Sequence, residues 1–176
     1  MSGHNKWSQI KRQKGKTDAQ KSNMYSKYAR LISMESKKVN GNTSSPSLIA
    51  VIDQAKQENV PKDVIERAVK KGTEVGSENM ESIIYEAYGP GGCALVIEIL
   101  TANRNKAAQE VKHILSQYEI ALAGIGSATW AFSRNGTTWS PTVTVPLSEQ
   151  DLSILEKLIE ALEENDEVQA VYTNAE

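Results

Sequence analysis

Residues 93–118 read CALVIEILTANRNKAAQEVKHILSQY. The first eight, Cys93 to Leu100, are an apolar run of strand length, and Gly89, Pro90, Gly91 and Gly92 just before them can turn the chain back onto a second β-rich run, Ile83 to Tyr88. Asn103 then offers a helix cap, and Ala107, Val111, Ile114 and Leu115 follow at helical spacing, which predicts a helix to about Tyr118. Further on, Gly124 and Gly126 end a loop, and strands are expected at Ala128 to Phe132 and at Thr142 to Val145. Ser148 with Asp151 three residues later forms a capping box ahead of a helix lined by Leu152, Leu155, Ile159 and Leu162, and Val168 to Tyr172 reads as a closing strand. From Cys93 the order is strand, helix, strand, strand, helix, strand. That is the ferredoxin-like arrangement, and it predicts an α/β sandwich domain over residues 77–176.

Towards the N-terminus the period changes from two to 3.6. Residues 1–16, MSGHNKWSQIKRQKGK, show no sustained apolar period and read as an arm. A helix capped by Asp18 carries Met24, Tyr28, Leu31 and Ile32 on one face, and Asn40 and Gly41 stop it. Ser45 caps a second helix with Pro46 in its first turn and Leu48, Val51, Ile52 and Ala55 inward. A third starts near Pro61, presents Val64, Ile65, Ala68 and Val69, and is expected to end on Gly72 as its C-cap. The predicted fold is therefore α+β: a basic arm and three-helix domain over residues 1–76, then the ferredoxin-like domain.

The formal charge of -2 conceals a strong polarity. Residues 1–38 carry ten Lys and Arg against Asp18 and Glu35, residues 39–76 balance at five and five, and residues 77–176 hold five basic and fifteen acidic side chains. A segment of +8 joined to a body of -10 suits a polyanion ligand met by one end of the chain. Cation after cation in the arm can displace counterions from a nucleic-acid backbone, with an affinity that falls steeply with salt.

Other chemistries find little support. Cys93 is the single cysteine, which leaves no internal disulfide and fits a reducing, cytoplasmic compartment; a mitochondrial transit peptide is the alternative for the acid-free start. No apolar stretch is long enough for a membrane span. His4 and His113 show no metal-ligand spacing with acids or Cys93, GPGG at 89–92 lacks the Lys-Ser/Thr of a phosphate loop, and the acids from Glu163 to Glu167 lack calcium-loop spacing. No convergent catalytic set is visible, so neither an enzyme nor a cofactor or metal requirement is expected.

Three stretches together, GHNKWSQIKRQKG at 3–15, MESIIYEAYGPGG at 80–92 and NRNKAAQEVKHIL at 103–115, resemble the YebC/PmpR family, as does LEKLIEALEENDEVQAVYTN at 155–174. The resemblance implies a basic helical first domain, a ferredoxin-like second domain and a third domain inserted within the second. It also implies regulation of gene expression, as a DNA-binding transcriptional regulator or as a ribosome-associated translational activator that helps ribosomes stalled at proline runs. The chain departs from the family where the inserted domain belongs. Only SRNGTTWSP, residues 133–141, separates Phe132 from Thr142, so that lobe is largely missing, and Asn135-Gly136 can close the gap as a hairpin turn.

The candidate contacts are His4, Lys6, Trp7, Lys11, Arg12, Lys14, Lys16 and Lys21, extended by Lys27 and Arg30 on the polar face of the first helix. Trp7 either stacks on a base or docks on the helical domain. Lysines of this kind position a protein on phosphates without reading bases, and no recognition helix with base-reading Arg, Asn or Gln stands out. Structured ribosomal or transfer RNA, with the ribosome as partner, is therefore favoured slightly over promoter DNA.

Overall fold

The computed structural model describes residues 17–176. They divide into two compact units, one running to Glu81 and taking in Leu100–Ala102, the other comprising Ser82–Ile99 and Asn103–Glu176. The arm, with His4, Lys6, Trp7, Lys11, Arg12, Lys14 and Lys16, lies outside the described residues.

The first unit holds α1 (Asp18–Lys38), α2 (Pro46–Gln57) and α3 (Lys62–Thr73). Thr17, not Asp18, caps α1. Its hydroxyl accepts from the Gln20 N–H at 3.2 Å while its own N–H donates to Gln20 Oε1 at 2.9 Å, a reciprocal pair that satisfies two donors, whereas Asp18 occupies the first turn and meets the helix dipole. Ile32, Leu48, Ala55, Val60, Ile65 and Ala68 form the buried core; the stripes expected on α2 and α3 converge on it, whereas α1 meets it with Tyr25, Tyr28, Ala29 and Ile32, sharing only Tyr28 and Ile32 with its expected stripe. Gly72 does not cap α3. It sits buried inside the helix, where an added Cβ would lie 2.4 Å from the Ser33 carbonyl oxygen and 2.8 Å from Ser36 Cβ of α1. Small residues on both helices, with Ser36 Oγ donating to the Val69 carbonyl at 2.7 Å, let the two backbones approach this closely.

In the second unit a four-stranded sheet is built from β1 (Glu81–Tyr88), β2 (Ala94–Thr101), β3 (Leu122–Ala123) and β6 (Val168–Thr173), in the order β3-β1-β2-β6. The helices α4 (Arg104–Ser116) and α5 (Glu149–Glu163) pack Ala107, Val111, Leu115, Leu155, Leu158, Ile159 and Leu162 onto the face that presents Leu95, Ile97 and Ile99. Asn103 and Ser148 cap these helices as expected, accepting from the N–H groups of Lys106 and Asp151 at 3.1 Å each. The GPGG turn between β1 and β2 places Gly91 at φ 65° and Gly92 at φ 78°, a left-handed pair that glycine enters without a Cβ penalty.

The ferredoxin-like order is realised with different strands from those expected. β1 fills a central place beside β2, the short β3 after α4 joins the sheet edge, and β4 (Phe132–Asn135) and β5 (Thr138–Pro141) leave it to pair only with each other. Asn135 faces Thr138 across the turn at Gly136, φ 64°, so the predicted hairpin forms. Ala128–Ala131 is a tight turn instead of a strand, and Thr142–Val145 contributes a single parallel bridge from Val145 to Ala175. The hairpin side of the sheet buries Ala94, Val96, Ala128, Ala131 and Phe132, which makes β2 apolar on both faces.

One buried carboxylate explains the turn. Glu86 of β1, 5% exposed, accepts hydrogen bonds from the N–H groups of Gly126, Ala128 and Thr129 at 2.6, 2.7 and 2.8 Å. Burial acts to raise its carboxyl, but these donors and the Thr129 side chain outweigh burial and hold it below its ordinary range. Its contribution to stability is therefore full above the unfolded carboxylate range and is lost as pH falls through the lowered folded value. Glu86→Gln, which sets an NH2 group against the loop's own N–H donors, is expected to cost about 2 kcal/mol near neutral pH. Urea melts at several pH values check this: the acid limb of the stability curve should flatten in the variant.

Candidate nucleic-acid interface

Of the expected contact residues, the structure describes Lys21, Lys27 and Arg30, all on α1. Lys21, in the first turns where the arm enters the helix, is exposed and makes no ion pair among the described residues. Lys27 is half-buried. Arg30 is also half-buried, and its Nη1 donates to the Leu100 carbonyl at 3.2 Å, so part of its fork is occupied within the protein. Tyr28, packed on the core, has its phenol pushed up by burial and by the nearby Glu58 carboxylate.

The remaining cations of this unit differ in how far they are already neutralised. Lys38 pairs with Glu35 at 3.2 Å, Lys56 with Asp53 at 3.8 Å, Lys62 with Glu66 at 3.6 Å and Arg67 with Asp63 at 3.0 Å. Lys37 donates through Nζ to the Ser77 carbonyl at 2.5 Å. Lys70 and Lys71, in the last turn of α3, are exposed and enter no ion pair among the described residues. The even charge balance of residues 39–76 hid this difference, because ion pairs at (i, i+3) and (i, i+4) cancel some of those cations and not others.

α2 and α3 are joined by residues 58–61, with Asn59 at φ 61°, a connection of helix-turn-helix length. The exposed face of α3, however, carries Asp63 and Glu66 with their partners Arg67 and Lys62. Two carboxylates on that face repel phosphates, and the two paired cations are poorly placed to read base edges.

The second unit adds two polar clusters that sequence patterning did not single out. Trp130, 60% exposed, donates from Nε1 to the Tyr88 hydroxyl at 3.0 Å, and that hydroxyl donates to the Ser127 carbonyl, which fixes both rings beside the loop held by Glu86. Trp139 donates from Nε1 to Glu98 Oε1 at 2.9 Å, and Arg134 lies 5.2 Å from the Trp139 ring centroid. Burial pushes the Glu98 carboxyl up against the opposing pull of Trp139 and Arg134. Both clusters depend on pairings between distant segments, which no local spacing signals. Among the described residues no group of three or more His, Cys, Asp or Glu is placed to hold a metal ion, and no helix is long and apolar enough to cross a membrane.

Comparison with known proteins aligns with this architecture. The profile of the TACO1/YebC protein N-terminal domain matches residues 5–75, and that of the TACO1/YebC second and third domain matches residues 80–138 and 135–175, two pieces that meet in the β4–β5 hairpin. A probable transcriptional regulatory protein of Petrotoga mobilis is 44% identical over 179 residues, covering 100% of this chain and 71% of its own length. Another, from Fervidobacterium nodosum, is 36% identical over 235 aligned positions that take in 99% of this 176-residue chain and 93% of the relative, so the relative carries residues with no counterpart here. Among solved structures, the conserved hypothetical protein Aq1575 of Aquifex aeolicus superposes with a TM-score of 0.82 at 30% identity, covering 97% of this chain and 96% of that one.

Proposed function

The chain belongs to the TACO1/YebC family, and from that premise we propose that it regulates gene expression without enzymatic chemistry, by binding structured RNA through its basic N-terminal segment. The observation that carries the proposal is the placement of charge: ten basic side chains against two acidic ones over residues 1–38, followed by an acidic body. Such a distribution brings one end of the protein to a polyanion and keeps the other end off it. On α3 the cations of the first turns are tied to carboxylates, which favours recognition of a shaped backbone over recognition of base edges.

On this reading His4, Lys6, Trp7, Lys11, Arg12, Lys14, Lys16 and Lys21 meet the ligand first, with Lys27 and Arg30 beside them, and Trp7 stacks on an unpaired base. The ligand is ribosomal or transfer RNA on the ribosome, where the protein assists translation stalled at proline runs. Residues 1–76 bind, residues 77–176 form the body, and the short 133–141 hairpin takes the place of the family's inserted lobe. A second reading, a DNA-binding transcriptional regulator, is favoured by the bacterial relatives, which are described as probable transcriptional regulatory proteins.

Cross-linking in cells followed by sequencing of the nucleic acid bound to the protein separates the two. Ribosomal or transfer RNA is expected to dominate the recovered sequences, and enrichment of a few promoter fragments over RNA would reverse the order of the two readings.

A further inference from the structure

We infer that Lys70 and Lys71 form a second phosphate-binding position for the same structured RNA, well separated from Lys21 along the axis of α1. The inference rests on the proposed binding of RNA by the N-terminal segment and extends it to the far end of the helical unit.

Availability is the first argument. A phosphate approaching Lys38, Lys56, Lys62 or Arg67 must displace a carboxylate that already lies 3.0–3.8 Å away. Lys70 and Lys71 require no such exchange, since both are exposed and neither has an ion-pair partner among the described residues. Glu74, the acid nearest in sequence, follows as the C-cap with an extended backbone, φ -69° and ψ 145°, and pairs with neither.

Placement is the second. Gly72 seats the end of α3 against α1, its hypothetical Cβ 2.4 Å from the Ser33 carbonyl oxygen and 3.0 Å from the Lys37 nitrogen. The lysines of the two last turns, Lys37 and Lys38 on α1 with Lys70 and Lys71 on α3, therefore gather at one end of the unit. Of these four, only Lys70 and Lys71 lack an ion-pair partner or side-chain hydrogen bond among the described residues, because Lys37 binds the Ser77 carbonyl and Lys38 binds Glu35. Lys21 lies fifteen residues before Ser36, a separation of about 22 Å along α1 at the rise of an α-helix. Cations that far apart meet different phosphates, so an RNA held at both positions must present a backbone of matching shape.

The competing account is that these lysines only offset the helix dipole at the end of α3. The salt dependence of binding tells the two apart. Full-length protein with Lys70→Ala and Lys71→Ala is titrated with a purified transfer RNA over a series of salt concentrations, beside a control in which Lys56 and Lys62, both ion-paired, become alanine. The slope of log affinity against log salt is expected to fall by about 1.4 to 1.8 in the first variant, at 0.7 to 0.9 per lost phosphate contact, and by under about 0.5 in the control. Restoring charge with Lys70→Arg and Lys71→Arg should restore the slope. An unchanged slope with a lowered melting temperature would assign the pair to the dipole and overturn the inference while leaving RNA binding by the arm intact. A slope loss seen on duplex DNA and not on transfer RNA would overturn the choice of RNA. Wild-type protein that fails to bind transfer RNA would overturn the proposed function and this extension with it.

Discussion

Gly72→Ala is expected to destabilise the helical unit by about 3 kcal/mol, at the upper end of what overpacking one methyl into a dense contact costs. The added carbon would stand 2.4 Å from a backbone oxygen of α1 and 2.8 Å from a side-chain carbon, both on an element that cannot yield locally. Helix propensity alone predicts the opposite sign, since alanine in a helix interior is favoured over glycine by about 1 kcal/mol. The sign of the change therefore reports directly on whether α1 and α3 touch through Gly72. Chemical denaturation followed by far-ultraviolet circular dichroism measures it, and a variant as stable as the wild type or more so would refute the packing described for the unit. Ser36→Val should act in the same direction, because it removes the 2.7 Å hydrogen bond to the Val69 carbonyl and thickens the same contact.

The second large effect concerns binding. Replacing Lys11, Arg12 and Lys14 together by alanine is expected to lower the log-log salt slope by about 2 to 3, one counterion-releasing contact for each cation removed. RNA and DNA affinities should drop together, since phosphate contacts are blind to the base. The melting temperature of the variant, read alongside, separates lost contacts from lost folding. A triple variant with the wild-type slope would remove the arm from the interface.

The fold was legible where local rules and long-range packing agree. The stripes of α2 and α3, the caps at Asn103 and Ser148 and the Asn135-Gly136 turn appear as the spacing predicts, while α1 packs through Tyr25, Tyr28, Ala29 and Ile32, a face that shares only Tyr28 and Ile32 with its predicted stripe. Sequence reasoning failed where a distant partner overrides a local preference. Ala128–Phe132 has strand-forming neighbours, yet Glu86, some forty residues earlier, captures the N–H groups of Gly126, Ala128 and Thr129 and winds the segment into a turn. Gly72 looks like a helix stop until the chain that crosses it is known. Val145 is diverted from the hairpin because Asn174 donates to the Val143 carbonyl at 3.0 Å and accepts from the Ala94 N–H at 2.7 Å, which aligns residues 143–147 with the chain's end.

The candidate interface was legible as charge and opaque as geometry. Counting placed the cations in residues 1–38, and the described part of that segment does expose Lys21. Counting could not distinguish Arg30, which is partly spent on the Leu100 carbonyl, from a free cation, nor Lys70 and Lys71 from their neutralised neighbours Lys62 and Arg67. Exposed lysines carry information only once their carboxylate partners are known, and those partners are set by helix register and by which helix ends meet.

The central claim is that the N-terminal segment selects structured RNA. It is tested most directly by competing a labelled promoter duplex against ribosomes and against random duplex at one fixed salt concentration, with wild-type protein and with Trp7→Ala. Ribosomes are expected to displace the promoter most effectively, and Trp7→Ala is expected to lose much of that preference while its affinity for random duplex changes little. A promoter that holds the protein against both competitors, at roughly 1000-fold over random duplex or more, would contradict the claim and identify a sequence-specific regulator of transcription.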